Sequence, residues 1–371
     1  MPSPSTEPRT VAAKTSGRHE DRKARARRAL SFRNIGALYI LAIVIVIFTI
    51  WAPTTFPTIA TVRQVLNGNA VNALLALALV IPLSARVFDL SIAYVATLSG
   101  VTATYLIAHG TGVEAAVLLA LGVSLLAGLG NATVVVVMGV DSFIGTLATG
   151  AVIQAIISLI TQDIAITDPR LSQGFADIGQ QAIGNITLPV LYALVVAVAI
   201  WFVQDHTASG RRLYATGFNA ESARLAGVRT DRLRFVSLLV SALISGAAGI
   251  CLMSTIGSGD PTAGTPYLLS AFTAAFLGAT QLRGGRFNAW GTVIAVLLIG
   301  TGDVGLALAS APPWSTELFQ GVVLIAALAV TGQQRRALAL GSWWRRARRG
   351  RGSPAVADSL PHPAVQNTEV P

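Results

Sequence analysis

The groups in this chain that could do covalent or metal chemistry are few and stand apart. Lysine occurs only at Lys14 and Lys23, so no G-x-x-x-x-G-K-[ST] phosphate loop exists and nucleotide hydrolysis by that route is excluded. Histidine is limited to His19, His109, His206 and His362, with no H-E-x-x-H pair, and the single Cys251 lies in an apolar run. Zinc sites, disulfides and a cysteine nucleophile therefore lack the residues they need, and Cys251 reads as a small packing residue. No catalytic group, metal or bound cofactor is expected, and the chain reads as a non-enzyme. What remains is the chemistry of polar groups in apolar surroundings. Asp89 and Asp303 stand beside or within long uncharged runs, where a charge is costly unless water or a partner compensates. Asp89 could line a polar pathway or cap the helix that follows it, and Asp303 could face a water-filled path. Asn72, Asn131 and Gln154 could bond a polar solute or another helix.

The densest cluster of charge is Thr207 to Phe235, TASGRRLYATGFNAESARLAGVRTDRLRF, set between two runs that could each span a bilayer. Arg211, Arg212, Arg224, Arg229, Arg232 and Arg234 face only Glu221 and Asp231, and positive charge retained beside membrane helices places the loop in the cytoplasm. The segment also has helix signals. Asn219 is an N-cap, Ala220, Ala223 and Leu225 fall near one stripe, and Gly227 stops the turn. Gly217 is expected to turn the chain with an unusual backbone angle ahead of that cap. The simplest reading is a short helix lying along the membrane surface.

The elements that must hold these groups are membrane helices. The chain is 53% hydrophobic and 12% charged, with a mean hydropathy of +0.63, a balance that an ordinary soluble core does not need. A helix needs about 20 apolar residues to cross a bilayer. About ten crossings are expected, near 35–51, 68–84, 90–108, 114–137, 142–161, 188–204, 235–255, 266–281, 288–308 and 317–332. The first run exceeds a signal-peptide core and is followed by Trp51 and Pro53 rather than a cleavage box. Basic residues crowd both tails, from Arg18 to Arg33 and from Arg335 to Arg351, which puts both termini in the cytoplasm and makes the count even. The net charge of +10 is thus a topology signal rather than a nucleic-acid signature. By the same parity Arg86 with Asp89, and Arg283 with Arg286, fall inside, and the Asp163 to Gly184 connection falls outside.

Fold class follows as all-α and polytopic. Five crossings from inside followed by five from outside also permit two halves of inverted topology. Residues 1–34 form a basic tail, 35–332 a transmembrane domain with a cytoplasmic loop at 205–234, and 333–371 a basic and then Pro/Ala-rich tail. Trp343 and Trp344 beside RRARR read as an interfacial anchor.

Four ordered motifs carry a resemblance. Thr207 to Gly227 fits T-x-x-G-R-x-x-Y-A-x-G-x-N-x-x-x-A-R-L-A-G, with Gly210, Arg211, Tyr214, Gly217, Asn219, Arg224, Leu225 and Gly227 at the patterned positions. Phe88 to Ile92 is similar to G-x-D-L-S-V-G, Ser142 to Leu147 to P-F-I-x-T-L-G, and Gly264 to Gly300 to a block built on G-x-x-Y-E-L and L-G-G-x-S-L-x-G-G. Over roughly Ala70 to Val330 the chain resembles the ribose-type, or branched sugar, permeases of bacterial ABC importers. It departs from their pattern at Ala93, Ser142, Phe218, Leu268, Ala279 and Gln281, changes that bear on substrate more than on mechanism.

The resemblance implies an inner-membrane, multi-pass permease that imports a ribose-, xylose- or galactose-like sugar or a similar small polar solute. Its implied partners are a separate ATP-binding subunit that holds the ATP, a periplasmic or lipid-anchored solute-binding protein, a second permease chain, identical or not, and membrane lipid. The loop helix would dock on the ATPase through Glu221, Arg224 and Leu225. A secondary transporter driven by an ion gradient is the alternative, and would need paired carboxylates or a histidine relay where this chain has isolated acids.

Overall fold

The computed structural model describes residues 32–280 and 285–325, so both tails, Gln281 and Arg283 lie outside the described residues. These residues are overwhelmingly helical. The apolar runs fold as α1 (Phe32–Trp51), α2 (Ile59–Gly68), α3 (Ala70–Ser84), α4 (Ile92–Ala108), α5 (Val113–Ala132) and α6 (Ser142–Thr161). After a folded connection come α7 (Phe175–Gln180), α8 (Leu188–His206), α9 (Ala208–Phe218), α10 (Ala220–Leu225), α11 (Thr230–Ile256), α12 (Tyr267–Thr280) and α13 (Ala289–Leu308). Residues 314–325 are also helical. Among the described residues five helices are long and apolar enough to cross a membrane, α5 with its extension, α6, α8, α11 and α13, and the pair α2 and α3, bent by 47°, makes a sixth if taken as one span.

The centre of the fold is α11, whose 27 residues extend about 40 Å and pack against α3, α4 and α5. Small residues allow that approach. A side chain on Gly249 would run into the Ala96 backbone, and one on Gly100 into Gly249 and Met253, so α4 and α11 meet backbone to backbone. Around this seam Leu74, Leu75, Ile92, Leu238 and Met253 are fully buried, whereas α6 and α8 turn Ile144, Val152, Leu159 and Val195 outward. Apolar side chains left open on long helices are what a lipid surround requires.

The connection after α6 is more ordered than a loop between spans needs to be. Asp168 caps a 3₁₀ turn at Pro169–Ser172, the two-residue strands Ala182–Ile183 and Ile186–Thr187 pair as a hairpin, and Leu171 and Phe175 are wholly buried. Ile166 bridges Gly259, and Arg170 Nη1 donates to the Ala108 carbonyl at 2.6 Å. These contacts fix the connection to the C-terminal ends of α4 and α11. The arginine-rich loop joins the N-terminal end of α11, so the two sit at opposite ends of that helix.

Candidate functional site

The arginine-rich segment folds into two helices. α10 behaves as its caps require: Asn219 Oδ1 accepts from Ser222 N at 3.0 Å, and Gly227 closes the turn at φ +83. Ahead of it, ASGRRLYATGF forms the full helix α9, capped by Thr207, whose Oγ1 accepts from Gly210 N at 3.2 Å. The expected turn at Gly217 is not there. Gly217 is helical, and its lack of a side chain serves packing instead, because a Cβ would overlap the Ser84 carbonyl oxygen at the end of α3. Gly210 is pressed in the same way against the Val203 and Gln204 backbone at the end of α8.

Polar bonds complete this seat. Gln204 Nε2 donates to Ser84 Oγ at 3.1 Å, Tyr214 Oη donates to the Phe287 carbonyl at 2.7 Å, and the Arg286 guanidinium lies 5.5 Å from the Tyr214 ring centre. α9 is therefore wedged among the ends of α3 and α8 and the residues entering α13. The opposite side is open. Ala223 is buried, but Leu225 does not share its face: Leu225 is 81% exposed and Phe218 84%, with the Glu221 and Arg224 ion pair at 2.9 Å between them in sequence. Arg211 is also exposed. Two large apolar side chains flanking an exposed ion pair are suited to docking, since such groups gain most from burial against a partner. Phe218 was legible only as a departure, a phenylalanine standing in an otherwise polar run.

The remaining candidates occupy three places. Asp89 is buried in the segment between α3 and α4, where Oδ1 accepts from Ser91 N at 3.1 Å and Ser91 Oγ at 2.6 Å, and Oδ2 accepts from Ser241 Oγ of α11 at 2.7 Å. The carboxylate does not cap α4, whose N-cap is Ser91 with no side-chain capping bond; it holds Ser91 instead and ties it to α11. Asn131 joins the same network, its Nδ2 donating to Ser91 Oγ at 2.6 Å and its Oδ1 accepting from Thr149 Oγ1 of α6. Thr146 Oγ1 accepts from Leu90 N at 2.9 Å, and Ser142 Oγ from Phe88 N at 3.0 Å. The 86–91 segment is consequently pinned by side chains from α5, α6 and α11. Neither Ser241 nor Thr149 could be assigned to it from sequence spacing.

Asn72 lies elsewhere, donating from α3 to Ser270 Oγ of α12 at 2.7 Å, with its own Oδ1 buried and without a partner. Asp303 accepts from Gln320 Nε2 at 3.0 Å on Oδ2, while its Oδ1 is buried and without a partner. Cys251 is buried, as a packing residue should be. Among the described residues no cluster of three or more metal-ligating side chains occurs.

Comparison with known proteins agrees with this frame. The ribose import permease protein RbsC of Bacillus subtilis (strain 168) is 29% identical over 296 residues, 80% of this chain and 92% of that protein. The D-allose transport system permease protein AlsC of Escherichia coli (strain K12) is 29% identical over 304 residues, covering 81% and 92%. The galactofuranose transporter permease protein YtfT of Escherichia coli (strain K12) is 30% identical over 274 residues, covering 73% and 79%. The family model described as branched-chain amino acid transport system / permease component matches residues 61–328. A match over that much of the sequence, on a helical body with an ordered arginine-rich loop, shows that the chain belongs to this family of transport permeases.

Proposed function

We propose that the chain is the membrane subunit of an ABC importer that moves a sugar or similarly polar small solute across the bacterial inner membrane. In this reading residues 35–332 cross the membrane about ten times, the termini and the 205–234 loop are cytoplasmic, and two such chains work with an ATP-binding subunit and an external solute-binding protein. The observation that carries it is the two-sided unit of α9 and α10. One side is wedged against the ends of α3 and α8, and the other presents Phe218, Glu221, Arg224 and Leu225 to solvent. In this reading the chain, which has no phosphate-loop lysine, receives work from its ATP-binding partner, and this unit can accept a push at its open side and deliver it to α3. Asn72, Asn131, Asp89 and Asp303 remain the residues proposed to border the solute path or to time its opening.

The decisive test is energetic. The purified chain is expected to hydrolyse no ATP, and uptake in cells is expected to stop when the partner ATPase is disabled by substitution of its phosphate-loop lysine. Uptake that survives that change and collapses with an uncoupler would establish ion-coupled transport instead.

Topology gives a separate expectation. Single cysteines at Phe218 and Leu225 should react with an impermeant maleimide only in inverted vesicles, and cysteines in 168–174 only in intact spheroplasts. The opposite pattern, or labelling of both sites from one side, would break the proposed orientation.

A further inference from the structure

Beside the seat of α9, the structure holds a polar cavity of about 380 Å3 that nothing in the coupling scheme uses. Four charged side chains line it: Arg86 just past the end of α3, Asp141 at the start of α6, and Asp231 and Arg234 in the first two turns of α11. Their charges are not spent on one another, since among the described residues the ion pair is Glu221 with Arg224. Arg234 Nε is buried and has no hydrogen-bond partner, which costs free energy unless an acceptor arrives. Asp141 uses one oxygen, Oδ1, to accept from Phe143 N and Ile144 N.

The backbone around the cavity is also irregular. Arg86 is held at φ +58, an uncommon region for a residue with a side chain, and α5 unwinds into a π-helical turn, Thr133–Val137, that supplies part of the wall. Such features are retained where the surroundings or a ligand compensate, and π turns are frequent at functional sites. The residues next to the lining are apolar and open: Val137, Met138, Phe143 and Ile144 are all at least half exposed. A cavity with charge inside and an exposed apolar shoulder fits an amphiphile rather than a free ion.

We propose that this cavity holds the headgroup of a zwitterionic phospholipid of the phosphatidylethanolamine type. The phosphate is held by Arg86 and Arg234, the primary ammonium by Asp231 and Asp141, and the acyl chains run along Val137, Met138 and Ile144. Charge decides the headgroup. Two cations and two carboxylates match a phosphate and an ammonium together, whereas a headgroup with phosphate alone leaves both carboxylates facing an anion. A trimethylated ammonium keeps the charge but has no N–H to donate. The proposal rests on the chain being membrane-embedded, but not on its energy source or substrate, so its test is a binding measurement independent of transport.

The full chain, purified and stripped of lipid in detergent, is examined by native mass spectrometry and by thermal unfolding. It is titrated with phosphatidylethanolamine, phosphatidylglycerol and phosphatidylcholine of identical acyl chains, and separately with water-soluble phosphoethanolamine and inorganic phosphate. Phosphatidylethanolamine is expected to bind roughly tenfold more tightly than the other two lipids. That preference should vanish in Arg234→Gln and in Asp231→Asn, and phosphoethanolamine should compete while phosphate alone does so weakly. Because Arg234 is partly buried, Arg86→Gln at an exposed position provides a second variant whose folding is not at issue. Equal retention of the three lipids, or a preference untouched by Arg86→Gln, overturns the site. Preference for phosphatidylglycerol overturns the zwitterion assignment, and stabilisation by phosphate equal to that by lipid shows a free-anion site instead.

Discussion

Replacing Gly217 with valine is expected to cut solute uptake by roughly tenfold or more, a coupling loss of about 1.4 kcal/mol or above, while the protein remains in the membrane at near-normal abundance. The reason is geometric. A Cβ at this position would overlap the Ser84 carbonyl oxygen, and a backbone carbonyl at the end of α3 cannot swing aside as a side-chain tip could. α9 must therefore lift from its seat, carrying Phe218 and α10 with it. Insertion should survive, because the long apolar helices and the remaining arginines do not depend on this contact. ATP hydrolysis stimulated by the solute-binding protein should fall with uptake, since one link serves both directions. The measurement is paired uptake and ATPase activity in proteoliposomes holding the assembled complex, with the unfolding midpoint recorded for each variant. Normal transport in Gly217→Val would show that α9 is not part of the drive. A fall in transport matched by loss of folded protein would make the contact a stability device only.

The open side predicts a different signature. Arg224→Glu removes the ion pair with Glu221 and sets two like charges one turn apart, both more than half exposed, so the stability cost is small. Phe218→Ala removes an 84% exposed ring and should also leave unfolding unchanged. Binding of the ATP-binding subunit should nevertheless weaken by roughly tenfold for Phe218→Ala if the ring fills a pocket there. Titrating that subunit onto the purified permease measures this directly, and unchanged affinity in both variants would remove α10 from the interface.

What could be read from the sequence here is what local rules govern. Apolar length located the long helices, and side-chain capping with a left-handed glycine located α10, because each signal lies within a few residues of the feature it controls. α9 is not legible because Gly210 and Gly217 lower the helix propensity of ASGRRLYATGF, and what stabilises it is their fit against other helices. The same kind of fit explains why Gly217 suggested a turn: a glycine does not announce whether it is needed for its backbone angle or for its missing side chain. Leu225 stands two residues after Ala223, and on a helix that separation turns side chains to nearly opposite sides, so with Ala223 buried Leu225 faces out. The Asp89 network was invisible for a related reason. Ser241 is 152 positions from Asp89 in sequence, and serine within an apolar helix carries no periodic signal.

That network supports the second large effect. Asp89→Ala strands three donors at once, Ser91 N, Ser91 Oγ and Ser241 Oγ, in a buried setting. At about 1 kcal/mol for each buried bond the loss is about 3 kcal/mol, and rivals many single changes in a core. The bond from Ser241 alone comes from a distant membrane helix, and such bonds average nearer ~0.6 kcal/mol, which lowers the sum only slightly. Asp89→Asn should cost less, because the amide oxygen can still accept from Ser91 and the Ser241 hydroxyl can turn to accept from the amide. Unfolding in detergent, followed for Asp89→Ala, Ser241→Ala and the double variant, isolates the tie between the 86–91 segment and α11. A coupling of about 0.5 kcal/mol or more is expected for residues in direct contact. Transport should drop in parallel with stability, and Asp89→Asn should recover much of both. If Asp89→Ala unfolds like the parent chain but no longer transports, the carboxylate does not act by tying α4 to α11. Asp89 would then belong to the solute path itself, reached in a conformation where the segment is no longer closed over it.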